Sequence, residues 1–256
     1  MTDQLKISYA GGSDRGRVRE KNEDCILMST FEHSDVILLQ VADGVGGHAG
    51  GEIASKLTVG IVNASVEKAV KLANSGAGYT SDWLENTLLQ AITDANFQLL
   101  EQQRLRDDLN NMATTLVAIL IHANAMVIAH LGDSRCYQLL EQHLTQITED
   151  HTALQKMLNE GKINQQEFEV LPMHHVISQA VGLTSTPEID IRHLDINQKS
   201  CYMLCSDGLS DYVSDAQIQH VLVKDEPVEA LVDELIIRAN DNGGNDNISV
   251  VLMKIE

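Results

Sequence analysis

The chain has 256 residues, 43% of them apolar and 21% charged, a balance that supplies a buried core and excludes disorder and low complexity. Lys and Arg number 18 against 37 Asp and Glu, a formal net charge of −19, and no basic run reverses that field locally, so nucleic acid and anionic membrane are not expected as partners. The excess acid either serves solubility alone or includes a cation site.

Near the N-terminus, Glu23-Asp24 precede an expected strand, CILM. The run VILLQVA, ending at Ala42, reads as a buried strand stopped by the turn dipeptide Asp43-Gly44. A wide-faced apolar helix follows from about Glu52 to Ala73, with Ile53, Leu57 and Ile61 on one side and Val62, Val66 and Val70 beside them. NSGAGYTS breaks it. A second helix is expected from Asp82, where Asp82 and Glu85 have capping-box spacing, with Leu84, Leu88, Ala91, Ile92, Ala95 and Leu99 as its stripe. Thr114–Ile121, Ala125–Leu131, Cys136–Leu140 and His143–Ile147 read as an antiparallel meander, and residues 151–175 as polar helix or irregular chain. Cys201–Cys205 is a further buried strand, stopped by Asp207-Gly208. Its two cysteines would stand about 13 Å apart at roughly 3.3 Å per residue. A disulfide tolerates about 7 Å between Cα atoms, so the four cysteines are expected as free thiols. A helix from Pro227 to Ala239 and a central strand, Ile248–Met253, close the chain.

This order gives an α+β fold with an antiparallel core, rather than regular βαβ alternation. No repeat or linker divides it, so residues 1–256 are expected to be one domain. No apolar run approaches the roughly 18 residues of a membrane span, and MTDQLKISYAGG lacks a signal pattern, so the cytoplasm is the expected compartment.

Two segments echo one another: VILLQVADG and CYMLCSDG each place a carboxylate at the end of a buried strand. Asp246 precedes the final strand, and Glu23-Asp24 precede CILM. Acids brought together at one sheet edge repel, and their pKa values rise. Divalent cations remove that cost, and all-oxygen donors favour Mg²⁺ or Mn²⁺. Read singly, each Asp-Gly is an ordinary turn; the joint pattern carries the inference. Gly44-Val45-Gly46-Gly47-His48-Ala49 also fits a dinucleotide-binding fingerprint. Asp43 would then face a pyrophosphate, and the next helix leads to another helix rather than to a second strand.

Ser13-Asp14-Arg15-Gly16-Arg17-Val18-Arg19-Glu20-Lys21-Asn22-Glu23-Asp24 resembles the D-x-G-x-x-R-x-x-N-E-D opening of the metal-dependent protein phosphatase 2C (PPM) family of Ser/Thr protein phosphatases, in its bacterial form. Val41-Ala42-Asp43-Gly44-Val45-Gly46-Gly47-His48, Ala113-Thr114-Thr115, Gly132-Asp133-Ser134-Arg135, Ser206-Asp207-Gly208 and Asp246-Asn247-Ile248-Ser249 resemble its later motifs in order, over nearly the whole chain. The resemblance implies a β-sandwich of two antiparallel sheets flanked by helices on both sides. It implies two Mn²⁺ or Mg²⁺ ions at one end, with Asp43 bridging both and Gly44 lending its carbonyl. Asp207 and Asp246 would hold one ion, Glu23 and Asp24 would act directly or through water, and Asp133 with Asp207 would form a weaker third site. Arg19 would grip the phosphate, and His48 would donate a proton to the leaving oxygen or bond a metal-held water. Asp14 is expected to be structural.

The chain departs from the family pattern at three positions. Ala113 replaces a Gly, Val45 follows Asp-Gly where eukaryotic relatives carry His, and Gln179 replaces a common Arg in the flap, about 150–180, that follows Asp150-His151-Thr152. The expected activity is a monomeric phosphatase acting on phosphoserine and phosphothreonine proteins and opposing a bacterial Ser/Thr kinase. A pseudophosphatase or phosphoprotein-binding scaffold would have lost a metal carboxylate, and none is lost. A calcium-stabilised structural domain would leave Arg19 without a task.

Overall fold

The apolar runs become strands of two stacked antiparallel sheets. The computed structural model describes residues 6–45, 50–73, 78–172, 175–196 and 199–256. Strands β1 (Ile7–Asp14), β2 (Asp24–Thr30) and β3 (Ile37–Val45) precede helices α1 (Gly50–Ala73) and α2 (Ser81–Leu105). Then come β4 (Ala113–Thr114), β5 (Leu116–His122), β6 (Ala125–Leu131), β7 (Arg135–Leu140) and β8 (His143–Gln146). Helices α3 (Ala153–Asn159) and α4 (Gln165–Val170) lead to β9 (Asp190–Asp195) and β10 (Ser200–Cys205). The chain ends with α5 (Asp207–Ser210), α6 (Asp215–Leu222), α7 (Val228–Asp241) and β11 (Ile248–Ile255). One sheet has the order β1-β11-β10-β7-β8; the other is β2-β3-β5-β6-β9, with β4 pairing the end of β3.

Three apolar layers hold the sandwich. Leu39, Val41, Ile119, Leu204 and Val251 fill the space between the sheets. Leu38, Leu84, Leu88 and Leu120 lie between one sheet and α1–α2, and Met203, Leu231, Leu235 and Leu252 between the other sheet and α6–α7. Successive strand residues point to opposite faces, so Leu38 and Leu39 feed different layers. That is why β3 and β11 are continuously apolar. Each such side chain, fully buried, contributes about 1.5–3 kcal/mol. β11 is central, as its two apolar faces imply, and all four cysteines are free.

Four expectations are corrected. The meander spans both sheets: β5 and β6 belong to one, β7 and β8 to the other. The crossing occurs at Gly132, whose φ of 110° lies outside the usual range of L side chains, and a Cβ there would stand 2.6 Å from Thr115 Cβ. Asp43-Gly44 does not stop a strand, because β3 continues to Val45, with Gly44 opposite Thr114 and Val45 opposite Ala113. Asp207-Gly208 opens helix α5 instead of forming a turn. In both dipeptides glycine serves close packing: an added Cβ would meet Gly51 O at 2.2 Å or Asn247 O at 1.9 Å. The cap of α2 is Thr80, whose Oγ1 accepts the Trp83 N–H at 3.2 Å, and Asp82 sits in the first turn.

Candidate active site

Because antiparallel neighbours start and finish at the same edges, β2, β3, β10 and β11 bring their acidic ends to one end of the sandwich. A cleft of about 460 Å³ opens there, lined by Arg19, Glu23, Asp43, Gly44, Asp133, Asp207 and Asp246, with His175 and Asp211 alongside. Asp24 lies below, 5% exposed, directly across the ladder from Asp43. Every metal residue expected from the sequence is thus placed in or under one cleft. His48 falls outside the described residues.

The backbone at Asp43 and Glu23 is fixed independently of their side chains. Asp43 N–H donates to Thr115 Oγ1 at 2.9 Å, and Asp43 O accepts from Thr114 Oγ1 at 2.7 Å. Glu23 N–H donates to Asn247 Oδ1 at 2.7 Å, while Glu23 O accepts from Ser55 Oγ at 2.5 Å. Asn247 Nδ2 donates to the carbonyls of Arg15 and Lys21, both at 2.9 Å, and so ties the Arg19 segment to the start of β11. Ser206 Oγ donates to Asp24 Oδ2 at 2.8 Å. Asp14 is structural, as expected: its Oδ1 accepts from Gly16 N–H and Asn240 Nδ2.

These carboxylates are costly to ionise together. Burial raises Asp24 to about 7, with Asp207 and Asp246 adding to the rise and hydroxyls of Ser249 and Ser206 opposing it. Burial, then the charges of Asp207 and Asp150, raises Asp133 to about 7. Burial and Asp211 raise Asp207 to about 6. Asp43 is held well above the carboxylate range, first by burial and then by Asp24, Asp207 and Asp133. Burial also raises Glu23. Arg19 answers part of this charge: its Nη2 donates to Asp246 Oδ2 at 2.7 Å.

The donor set suits hard divalent cations. All the donors expected from the sequence are oxygens, and Asp24 Oδ1 and Asp207 Oδ1 are buried with no hydrogen-bond partner among the described residues. A buried carboxylate oxygen left unmatched is expensive unless a proton or cation meets it. His175, Asp207 and Asp211 also offer ligand atoms within 4.8 Å of one another. Sequence reasoning assigned no role to Asp211, His175, Asn247, Ser206 or Thr115. Of these, Ser206, Asn247 and Thr115 stand inside quoted motifs, and that membership was their only signal.

The comparisons agree with this geometry. The protein phosphatase 2C family model matches residues 12–253. Serine/threonine phosphatase Stp of Listeria innocua is 32% identical over 243 residues, covering 94% of this chain and 93% of that protein. The solved structure of Mycobacterium tuberculosis serine/threonine phosphatase PstP/Ppp superposes with a TM-score of 0.83 at 36% identity, covering 98% of this chain and 99% of that one. A structure of the PstP catalytic domain in complex with two manganese ions is 37% identical, with a TM-score of 0.79 and coverage of 98% and 99%. Fold, motif order and relatives together define a metal-dependent phosphoprotein phosphatase. The chain belongs to the protein phosphatase 2C family and is a Ser/Thr protein phosphatase of that type.

Proposed function

We propose that the protein hydrolyses phosphoserine and phosphothreonine in proteins by direct attack of water on phosphorus. The observation that carries this is the convergence of Glu23, Asp24, Asp43, Asp207 and Asp246, from four separate segments, on a cleft that also holds one arginine. Asp43, Gly44, Asp207 and Asp246, with Glu23 and Asp24, would hold two Mn²⁺ or Mg²⁺ ions, and Asp133 with Asp207 a weaker third. Two such cations, when bound, supply hydroxide near neutral pH and offset phosphate charge. The chain's own groups do the rest. Asp43 and Asp207, each raised by burial and by neighbouring carboxylates, mark where positive charge would be favoured. Arg19 spends one N–H on Asp246 and can turn its planar fork to phosphate oxygens. His48 is the proposed proton donor to the leaving oxygen.

The reading is completed by one catalytic domain spanning 1–256, its flap at about 150–180, acting as a monomer on the products of a cognate cytoplasmic Ser/Thr kinase. Among the described residues no helix is long and apolar enough to cross a membrane. The direct test is turnover of a phosphothreonine peptide with Mn²⁺ and after exhaustive dialysis against EDTA. Turnover appears with Mn²⁺ and is lost without it; full activity in EDTA sinks the reading.

Metal-free stability has a definite pH dependence. A carboxyl whose folded pKa exceeds its unfolded value of about 3.9 stabilises the fold below that value, and the contribution is lost as pH rises through the folded pKa. For Asp24, Asp133 and Asp207 that loss runs from about pH 4 through 6–7. His130 acts oppositely: burial lowers it to about 3, so its contribution is present above about 6.5 and lost as pH falls. Between pH 8 and 6.5 the carboxyls dominate. The metal-free Tm therefore rises on acidification over that interval, and the gain from saturating Mn²⁺ is larger at pH 8. Calorimetric scans at pH 8 and 6.5 check this; an equal Mn²⁺ gain at both would mean that the acids do not converge.

A further inference from the structure

Away from the acidic cleft, the fold gathers a second set of donors. His130 near the end of β6, His151 after β8 and Asp190 at the head of β9 each offer a ligand atom, and the three atoms lie within 4.8 Å of one another. His130 and Asp190 are partners across the β6–β9 ladder. The His130 ring is centred 4.6 Å from that of His151. His130 is 1% exposed, and among the described residues neither of its ring nitrogens has a hydrogen-bond partner of good geometry, the backbone of Gly132 and Ser134 giving the ring only a weak polar contact. A buried imidazole with two unmatched nitrogens calls for a partner. Burial keeps it neutral, and the neutral ring is the form that ligates metals. His151 and Asp190 also face a separate cavity of about 210 Å³ whose walls carry Glu149, Glu160 and Glu188 against Lys156, and Arg192 Nη2 lies 3.5 Å from Asp190 Oδ2, so the mouth is acidic on balance and an incoming cation would displace Arg192 from the carboxylate.

We propose that His130, His151 and Asp190 form a second cation site, chemically distinct from the oxygen cleft, that takes zinc-class ions in preference to Mg²⁺. Two imidazole nitrogens and one carboxylate match zinc, whereas Mg²⁺ prefers oxygen. Tetrahedral bonds of about 2.0–2.2 Å hold donors roughly 3.3–3.6 Å apart, so the three must close by about 1 Å. The fourth position faces the cavity and takes water.

The site is wired to the cleft through one proton. His151 Nδ1 accepts the Gly132 N–H at 3.3 Å, and its Nε2 faces Asp190 Oδ2 at 3.8 Å. An ion on Nε2 displaces the proton there and leaves the neutral ring protonated at Nδ1, which can no longer accept from Gly132. The ion thus replaces one long hydrogen bond and releases the amide that precedes Asp133. His151 also anchors the flap root: its N–H donates to Gly132 O at 2.7 Å, and its O accepts Ser178 N–H at 2.8 Å. Occupancy therefore shifts cation affinity at Asp133, and by linkage cleft cations shift affinity here by the same factor.

The full chain in excess Mg²⁺ is titrated with Co²⁺ as a spectroscopic stand-in, then with Zn²⁺. One equivalent of Co²⁺ gives intense visible absorption of a tetrahedral, nitrogen-containing site, and one equivalent of Zn²⁺ bleaches it. Asp190→Asn and His130→Asn each weaken this binding at least tenfold, while Asp43→Asn, in the other cleft, keeps the absorption and moves the affinity only by the coupling factor. Absorption that is absent from the wild type, undiminished in Asp190→Asn, or lost in Asp43→Asn overturns the proposal. The Asp190 side chain is 43% exposed on an edge strand, so Asp190→Asn decides the matter even if His130→Asn does not fold.

Discussion

Asp43→Asn lowers kcat on a phosphothreonine peptide by about 10³-fold or more and, in the same protein, raises the Tm of the metal-free form. The loss follows from position: one carboxylate proposed to touch both cations is replaced by a neutral amide. Metal charge stabilisation of a transition state is worth several kcal/mol, and about 4 kcal/mol is 10³ in rate. The gain in stability follows from the same charge. Burial, then the charges of Asp24, Asp207 and Asp133, makes Asp43 costly to ionise, so a residue that carries no charge there removes that cost and one repulsive member of the cluster. The backbone does not depend on the carboxylate, because Thr114 and Thr115 hold the Asp43 main chain. Steady-state kinetics and thermal unfolding in EDTA measure the two effects. Activity within tenfold of wild type removes Asp43 from the reaction, and a lower metal-free Tm removes the argument from crowded charge.

The opposite signs of those effects explain what the sequence could and could not disclose. Acids near the ends of apolar strands are legible because a run such as VILLQVA sets a strand and Asp-Gly follows the apolar run, although the first Asp-Gly lies inside the strand and the second opens a helix. Which strands share a sheet is a tertiary matter. Nothing in the local pattern near Gly132 says that β6 and β7 part there, and the sharp crossing itself carries Asp133 into the cleft. β1 was illegible for a different reason. Its Gly11 and Gly12 oppose strand propensity, yet an added Cβ would stand 3.1 Å from Ile26 Cδ1 or 2.7 Å from Ile236 Cδ1, so glycine lets the edge strand fit between layers. β9, DIRHLD, is an edge strand with little apolar pattern. Helix α6 carries a signal of its own: Ser214 and Gln217 form a capping box at the spacing the sequence displays. The acids of the site were readable as residue types. Asn247 and Ser206, which bond the backbone of Glu23 and the carboxylate of Asp24, stand in the motifs, but their roles were not readable, because a single polar residue has no periodicity to say what it holds.

Arg19→Lys keeps the charge and removes the geometry, and we expect kcat/KM to fall about 10- to 100-fold. In the structure Arg19 reaches Asp246 through Nη2 alone, at 2.7 Å, and its side chain is 48% exposed toward the cleft. The rest of the planar fork can meet two phosphate oxygens at once, which an ammonium cannot copy. Loss of one charge-assisted bond costs about 1.5–3 kcal/mol, and 1.36 kcal/mol is tenfold. If the contact already forms in the ground state, KM rises with it; if only in the transition state, kcat falls alone. Cation affinity bears on the alternative that Arg19 serves mainly to neutralise Asp246. Lys can still reach a carboxylate as a point charge, so Mn²⁺ affinity by calorimetry should change little while kcat/KM falls. Wild-type kinetics in Arg19→Lys would reduce the arginine to a surface charge paired with Asp246, and a large change in Mn²⁺ affinity with unchanged kcat/KM at saturating Mn²⁺ would make it a guard of the metal site rather than a hand on the phosphate.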